Sequence, residues 1–574
     1  MVTGSLTRVV RSPRGDIVLN VQIPPTSSHH AAQPGKPPAP LELWRSVDWR
    51  FLLPAEGIHR VGYVGLAPPD ERQLLQELGM VVIDDPQELG GLDVVVVSAD
   101  PKSLASSLGL AAIGPEAWVL FRAGRLRSHP WDRLGQGSVR ALKRRLRAEG
   151  LEVTAVHWHA PDQTRCSYIV RIDDQIAVTA MLKRYHGVRF GLLKSLIART
   201  LNLAGMVHLV ARDLTFLARA RMQEAPERQR PASTPVLPTT TEHSLVSADA
   251  PPSRLIVTPW FEASRHVICL YFDTVSQSMC GVAKLPRRPW DISGICHEGD
   301  GLRELGERTD ALAGQAPEVR GLSTGVRPFL LETALHGRIA GPEAARADTR
   351  LLLEATLDFL SRLPTTGMTT QEEYWFVRLI EKPLRDVAAL VDLKPVPSLV
   401  ERTLELLEPL RSAEMPMVLE HGDLGHPNLL ITNDGRLAAV DWERSEVRGL
   451  PAHDLCFLLQ YVSESKHATF ERDGQRHAFD DAFTGVDAWA TPWIRRYETS
   501  IGLEHRLMGP LLLATWARSS AGLLVRLGPS GGSTSEADND RAVTRSRLAE
   551  AFELDRDFYL WRHAVRRFDR LFKP

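Results

Sequence analysis

The stretch His421-Gly422-Asp423-Leu424-Gly425-His426-Pro427-Asn428 sets an acid and an amide five residues apart, and a second acid follows in Asp441-Trp442-Glu443. Between them, apolar runs on either side of Asp434-Gly435 give the strongest short hairpin signal. With Asp434 and Gly435 as the two turn residues, position 433 faces 436. Counting outward then sets Asn428 directly opposite Asp441, about 4.5–5.5 Å away at Cα. Asp423 lies on the loop just before. Such a cluster is able to hold Mg²⁺ and orient a hydroxyl, which is what phosphoryl transfer needs.

The rest of the chain must position these groups. At 574 residues it is too long for one core, so two or three domains are expected. A formal net charge of −1 and a pI of about 7.1 leave no electrostatic footprint for nucleic acid. The five cysteines are scattered and never form Cys-x-x-Cys, which argues against a disulfide framework or a zinc site. Residues 1–30 lack a sustained apolar core, and no run of eighteen uncharged apolar residues occurs, so a soluble cytoplasmic protein is expected.

Residues 1–40 mix Pro, Ser, Gly and Arg without periodicity and predict a poorly ordered arm. Over 41–182, strands at Arg60–Leu66, Gly79–Asp84, Leu92–Ser98 and Ala117–Arg122 alternate with helices near 70–78 and 137–149, the pattern of a parallel α/β sheet. Two further strands, Val153–His159 and Ser167–Asp173, form a terminal hairpin. This layout resembles the Rossmann-like domain of class I S-adenosylmethionine-dependent methyltransferases. The resemblance implies a glycine-rich turn after the first strand and an acid, here Asp84, on the ribose hydroxyls. The turn reads Val64-Gly65-Leu66-Ala67-Pro68-Pro69, without that glycine spacing, so the domain is expected to be degenerate and not to bind the cofactor.

Residues 183–222 read as a basic amphipathic helix, with Leu203, Val207, Val210, Leu214 and Leu217 on one face. Packing of that face on protein is the expectation, and contact with an anionic membrane surface is the alternative. The proline-rich stretch 223–253 reads as a linker.

From Arg254 the strands Leu255–Thr258, Arg265–Phe272 and Cys280–Leu285 follow in quick succession, and the third carries Val282-Ala283-Lys284. A lysine there can pair with nucleotide phosphates; a solvated strand lysine is the other reading. A helix near Gly301–Leu312 offers Glu304 and Glu307 to hold it, with Glu307 preferred because Leu302, Leu305 and Leu312 face the sheet. Pro328–Gly337, containing Glu332, reads as a strand leaving into a nucleotide-binding hinge, and no Gly-x-Gly-x-x-Gly lies upstream. Helices are expected at 344–363, 371–390, 396–411, 454–464, 486–500, 504–527 and 541–571.

On His421-Gly422-Asp423, Asn428, Asp441-Trp442-Glu443 and Pro451-Ala452-His453-Asp454-Leu455, the part from about 254 to 574 resembles the aminoglycoside phosphotransferase and choline kinase group. The resemblance implies an ATP- and Mg²⁺-dependent kinase of a small-molecule hydroxyl. Asp423 would then orient the acceptor, Asn428 and Asp441 would ligate the metal, and Lys284, Glu307 and Glu332 would bind nucleotide. It makes Asp454 a carboxylate supporting the loop, with a helix N-cap as the alternative. His421 is expected to be architectural and His426 to sit on the loop facing the acceptor. The expected fold is thus an α/β Rossmann-like N-terminal domain joined to an α+β two-lobed protein-kinase-like domain.

Overall fold

The computed structural model describes residues 44–54, 58–64, 68–83, 91–97, 117–123, 139–163, 166–186, 211, 213–220, 236–237, 241–242, 245, 251–258, 265–369, 374–527 and 538–572. The arm at 1–40, most of the linker, Asp84 and the turn residues Gly65, Leu66 and Ala67 lie outside them. The described residues divide into two units, one within Ile23–Cys296 and Val319–Ala334, the other in His297–Glu318 and Leu335–Pro574.

The first unit is built on a single twelve-stranded sheet. Its strands are β1 (Arg60–Val64), β2 (Val81–Ile83), β3 (Val94–Val97), β4 (Trp118–Ala123), β5 (Leu151–Ala160), β6 (Tyr168–Arg171), β7 (Leu214–Ala220), β8 (Ser253–Val257), β9 (His266–Phe272), β10 (Met279–Pro286), β11 (Val319–Ser323) and β12 (Phe329–Thr333). They run in the order β11-β12-β10-β9-β8-β6-β5-β7-β4-β3-β1-β2. Among the described residues, β4, β3, β1 and β2 are the strands that pair in parallel. The four consecutive valines of β3 are all buried, as a parallel strand covered on both faces requires. Helices α1 (Pro69–Glu77), α2 (Val139–Ala148) and α3 (Gln175–His186) accompany them.

Two expectations change here. Residues 214–220 of the expected basic helix are strand β7, inserted between β4 and β5; 187–210 lie outside the described residues. Leu214-Thr215-Phe216-Leu217-Ala218 is buried at every position, and a short continuous apolar run fits a covered strand as well as a helix. Second, β6 pairs with β8, Ile169 opposite Ile256, so strands on both sides of the expected linker share one sheet and one core.

Helix α4 (Ser293–Arg308) carries the chain into the second unit. There follow β13 (Arg338–Ile339), α5 (Pro342–Ala347), α6 (Thr349–Arg362), β14 (Thr365–Met368), α7 (Lys382–Leu390), α8 (Pro395–Arg411), β15 (Pro416–Glu420), β16 (Leu429–Ile431), β17 (Leu437–Ala439) and β18 (Glu446–Gly449). The chain ends in α9 (His453–Lys466), α10 (Arg472–Phe483), α11 (Thr491–Ile501), α12 (Met508–Leu527), α13 (Asp538–Leu554) and α14 (Arg556–Arg567). Two small sheets, β13-β16-β17 and β14-β15-β18, hold the central loop among these helices. Helix α10 was not expected, because its charged residues mask Ala478, Phe479, Ala482 and Phe483, which are buried at helical spacing. No helix among the described residues is long and apolar enough to cross a membrane.

Candidate active site

The β16–β17 hairpin forms, but one residue out of the expected register. Its pairs are Leu429 with Ala439, Leu430 with Ala438 and Ile431 with Leu437. The turn is three residues long: Thr432 N–H donates to Arg436 O at 2.9 Å, Gly435 N–H to Thr432 O at 3.0 Å, and Gly435 takes φ +83°. That is a type I turn closed by a left-handed glycine, the next most common hairpin after the two-residue form assumed from Asp-Gly. Asn428 therefore faces Val440, whose N–H donates to Asn428 O at 2.9 Å, and the expected opposition of Asn428 and Asp441 is corrected by one position. A slip of one residue turns a side chain to the other face of a strand. Asp441, however, leaves extended geometry altogether at φ +70°, a left-handed conformation that costs a non-glycine residue about 1–3 kcal/mol.

The loop after β15 is fixed atom by atom. His421 is fully buried beside the Trp442 ring, 4.6 Å between centroids. Asp423 N–H donates to His421 Nδ1 at 3.2 Å, so Nε2 carries the ring proton and donates it to Val440 O at 3.1 Å. Asn428 Nδ2 donates to Asp423 O at 3.1 Å. Gly422 has φ +82°, and a Cβ there would strike the Arg444 carbonyl, so only glycine fits. His426 packs on Tyr461 with ring centroids 5.8 Å apart.

Asp454 holds this loop from beneath. Its two oxygens accept the His421 N–H at 2.7 Å and the Gly422 N–H at 2.9 Å, while the N-cap position of α9 belongs to Ala452. The support reading of Asp454 therefore stands and the N-cap alternative falls. Burial, and then the nearby Glu420 carboxylate, push the Asp454 carboxyl up to about 7. Glu420 is held low by Arg518, whose guanidinium donates to it at 2.9 Å. Burial keeps His453 neutral by lowering it to about 4.

Asp423 itself is half-buried, with 32 % of its side chain exposed, and Arg444 Nη1 stands 4.0 Å from its Oδ1. Arg444 is anchored by donating to Ser519 O at 3.1 Å, and a Cβ at Gly522 of α12 would collide with its guanidinium. Neither contact was anticipated. Glycine and serine on an apolar helix do not announce an arginine slot.

The acids of α4 differ in burial. Glu307 is exposed and Glu304 pairs with Arg308 on the surface. Glu298 is the fully buried carboxylate of this helix, and it accepts the Trp442 N–H at 2.7 Å. It was missed because Asp300-Gly301 reads as a break, which set the helix start at 301 instead of 293. Gly301 is instead a packing glycine, whose Cβ would collide with the Ser445 side chain. In the first unit, Lys284 lies buried on β10 between Ile268 and Leu330, which removes its reading as a solvated lysine. Glu332 is buried on β12 opposite Val282.

The parallel strands of the first unit present a different picture at their carboxyl ends, where α/β sheets bind ligands. Buried Glu71 of α1 accepts hydrogen bonds from Trp49 Nε1 (2.9 Å), Tyr63 Oη (2.8 Å) and Arg122 Nη1 (2.9 Å). This network ties α1 to the ends of β1 and β4.

Residues 282–492 match the phosphotransferase enzyme family (APH), a stretch of less than half the chain. Among solved structures, the aminoglycoside phosphotransferase APH(3'')-Id from Streptomyces rimosus is 18 % identical, with a TM-score of 0.31, over 44 % of this chain and 89 % of its own. The choline kinase LicA from Streptococcus pneumoniae is 13 % identical, with a TM-score of 0.33, over 50 % and 88 %. A Plasmodium vivax ethanolamine kinase is 14 % identical, with a TM-score of 0.32, over 50 % and 79 %. No curated protein matches the chain.

Proposed function

We propose that the part from about residue 254 onward is a phosphotransferase that moves the γ-phosphoryl group of ATP to a hydroxyl of a small molecule. The observation that carries this reading is Asp423, half-exposed on a loop whose backbone is locked by Asp454, His421 and Asn428. Asp423 orients the acceptor hydroxyl and receives its proton as the new O–P bond forms and the bond to the ADP oxygen breaks. Asn428 has its amide nitrogen committed to Asp423 O, so its amide oxygen and the Asp441 carboxylate are the atoms assigned to a divalent cation. Two hard oxygen donors completed by phosphate oxygens suit Mg²⁺, which when bound supplies charge neutralisation on the phosphates. Lys284 and Glu332 are assigned to the nucleotide, and Glu298 is assigned to holding the peptide that follows Asp441.

The α/β part of the first unit is assigned no chemistry, since the Glu71 network occupies the ends of its parallel strands. Thermal melting of the full chain with ATP, ADP and GTP, each with and without Mg²⁺, tests the proposal. A rise in Tm that requires both nucleotide and Mg²⁺, and is lost in Asp441→Ala, is expected. No Mg²⁺-dependent shift with any of the three would overturn it in favour of a non-catalytic binding protein.

A further inference from the structure

Helix α4 grips the chain that follows Asp441 at both ends of a short turn. Glu298 accepts the Trp442 N–H, and Trp442 O accepts the Ser445 N–H at 3.0 Å, so residues 442–445 close on themselves. At the far end, His297 Nε2 lies within hydrogen-bonding distance of Ser445 O, and a Cβ at Gly301 would collide with Ser445 Oγ. His297 and Gly301 stand four residues apart, so successive turns of one helix face meet the same serine. A carbonyl oxygen only accepts, so His297 Nε2 carries the ring proton and donates it. All of these residues, from His297 onward, belong to the second unit.

The turn matters because of the residue in front of it. Asp441 takes φ +70°, a conformation that an aspartate keeps only when its surroundings impose it. Trp442 is fully buried, and its ring nitrogen donates to Ala439 O at 3.1 Å, which ties the turn back across Asp441. Glu298 then fixes one end of the turn and His297 the other. Glu298 lies in the core, whereas His297 is exposed, so burial gives no reason for an imidazole at 297 and the Ser445 carbonyl does. Resting on the reading of Asp441 as a ligand of the divalent cation, we propose that His297 is a positioning residue. By holding Ser445 O it closes the turn that aims the Asp441 carboxylate, and so sets the affinity for Mg²⁺ with nucleotide.

Thermal melting of the full chain at a fixed, saturating concentration of ADP, with Mg²⁺ varied, gives the Mg²⁺ concentration at the half-maximal rise in Tm. His297→Ala removes the donor at an exposed helix position that alanine favours, so the variant should fold. Its half-saturating Mg²⁺ concentration should rise by roughly 2–10-fold, the equivalent of one hydrogen bond of ordinary strength. His297→Gln returns an N–H donor at similar reach and should stay within about twofold of the wild type. Equal half-saturation in wild type and His297→Ala overturns the proposal. So does an equal loss in the alanine and glutamine variants, which would make position 297 a matter of packing. Should His297→Ala not fold, His297→Met, which keeps bulk without a donor, is judged by the same standard. A wild type with no Mg²⁺-dependent rise at all removes the phosphotransferase reading and this inference with it, whereas a normal wild-type rise with unaffected variants removes the inference alone.

Discussion

The Asp454 carboxylate accepts the N–H groups of both His421 and Gly422, so one buried side chain sets the direction in which the chain delivers Asp423. Leaving a buried N–H without its acceptor costs about 1–3 kcal/mol, and an asparagine offers one acceptor oxygen in place of two. Asp454→Asn is expected to lower kcat for phosphoryl transfer by roughly 10–100-fold, since loss of about one such bond is about one to two factors of ten. The KM for ATP should change little. A matched rise in KM with kcat intact would show that the loop is not what Asp454 positions.

The same carboxyl gives a pH signature. Its folded value is raised to about 7 from the ordinary 3.8, so the folded state keeps a proton that the unfolded chain has released. The contribution to stability is complete below 3.8 and is lost as pH rises through about 7. Comparing Tm against pH for wild type and Asp454→Asn isolates this group. The difference should move against the wild type as pH climbs through that window and flatten above it; parallel curves would count against the raised value.

Asp423→Asn removes the proposed proton acceptor while retaining its size. General-base contributions run at about 10²–10⁴-fold, so kcat should fall by that order. Binding of ADP with Mg²⁺, followed by thermal shift, should persist, because the loop contacts at Asp423 are made by its backbone N–H and carbonyl. Turnover within tenfold of wild type would assign the base elsewhere.

The Glu71 network predicts that the full chain does not bind S-adenosylmethionine. A cofactor at the ends of β1 and β4 would have to displace a buried carboxylate satisfied by Tyr63, Trp49 and Arg122. Breaking a buried ion pair costs about 3–5 kcal/mol, a large share of the roughly 8 kcal/mol that micromolar binding requires. Titration calorimetry on the full chain should give no heat of binding. The full chain is the right sample, since β6 is completed by β8 and the piece ending at 182 would expose that edge.

Much of this was legible because local signals and tertiary environment agree. Alternating strands and helices gave β1 to β4, and Asp-Gly gave the β16–β17 hairpin. The register failed by one because Asp-Gly serves both two- and three-residue turns, and only the tertiary position of Thr432 and Arg436 selects between them. Strand β7 was misjudged because its buried run carries no period. Two glycines have different reasons: Gly301, in a helix, marks close packing against Ser445, whereas Gly422 is fixed by both its φ and the Arg444 carbonyl. Sequence spacing cannot separate these cases, because the contacted residues lie far along the chain.

Glu298 and Glu307 turn that misreading into a contrast that one helix can decide. They share α4, yet Glu298 is buried against the Trp442 N–H while Glu307 faces solvent. Trp442 follows Asp441, whose left-handed backbone must be held from outside, and the 2.7 Å hydrogen bond to Glu298 does so at the next peptide. Glu298→Gln replaces a charged acceptor by a neutral one and leaves a buried amide to be satisfied, at a cost of about 1–2 kcal/mol. It should lower Tm and reduce phosphoryl transfer about tenfold, with weakened dependence on Mg²⁺ because Asp441 is less well held. Glu307→Gln, an exposed change, should stay within about 0.5 kcal/mol of wild type and keep full activity. The reverse order of the two variants, measured side by side by urea melts and ADP production, would return the role to Glu307.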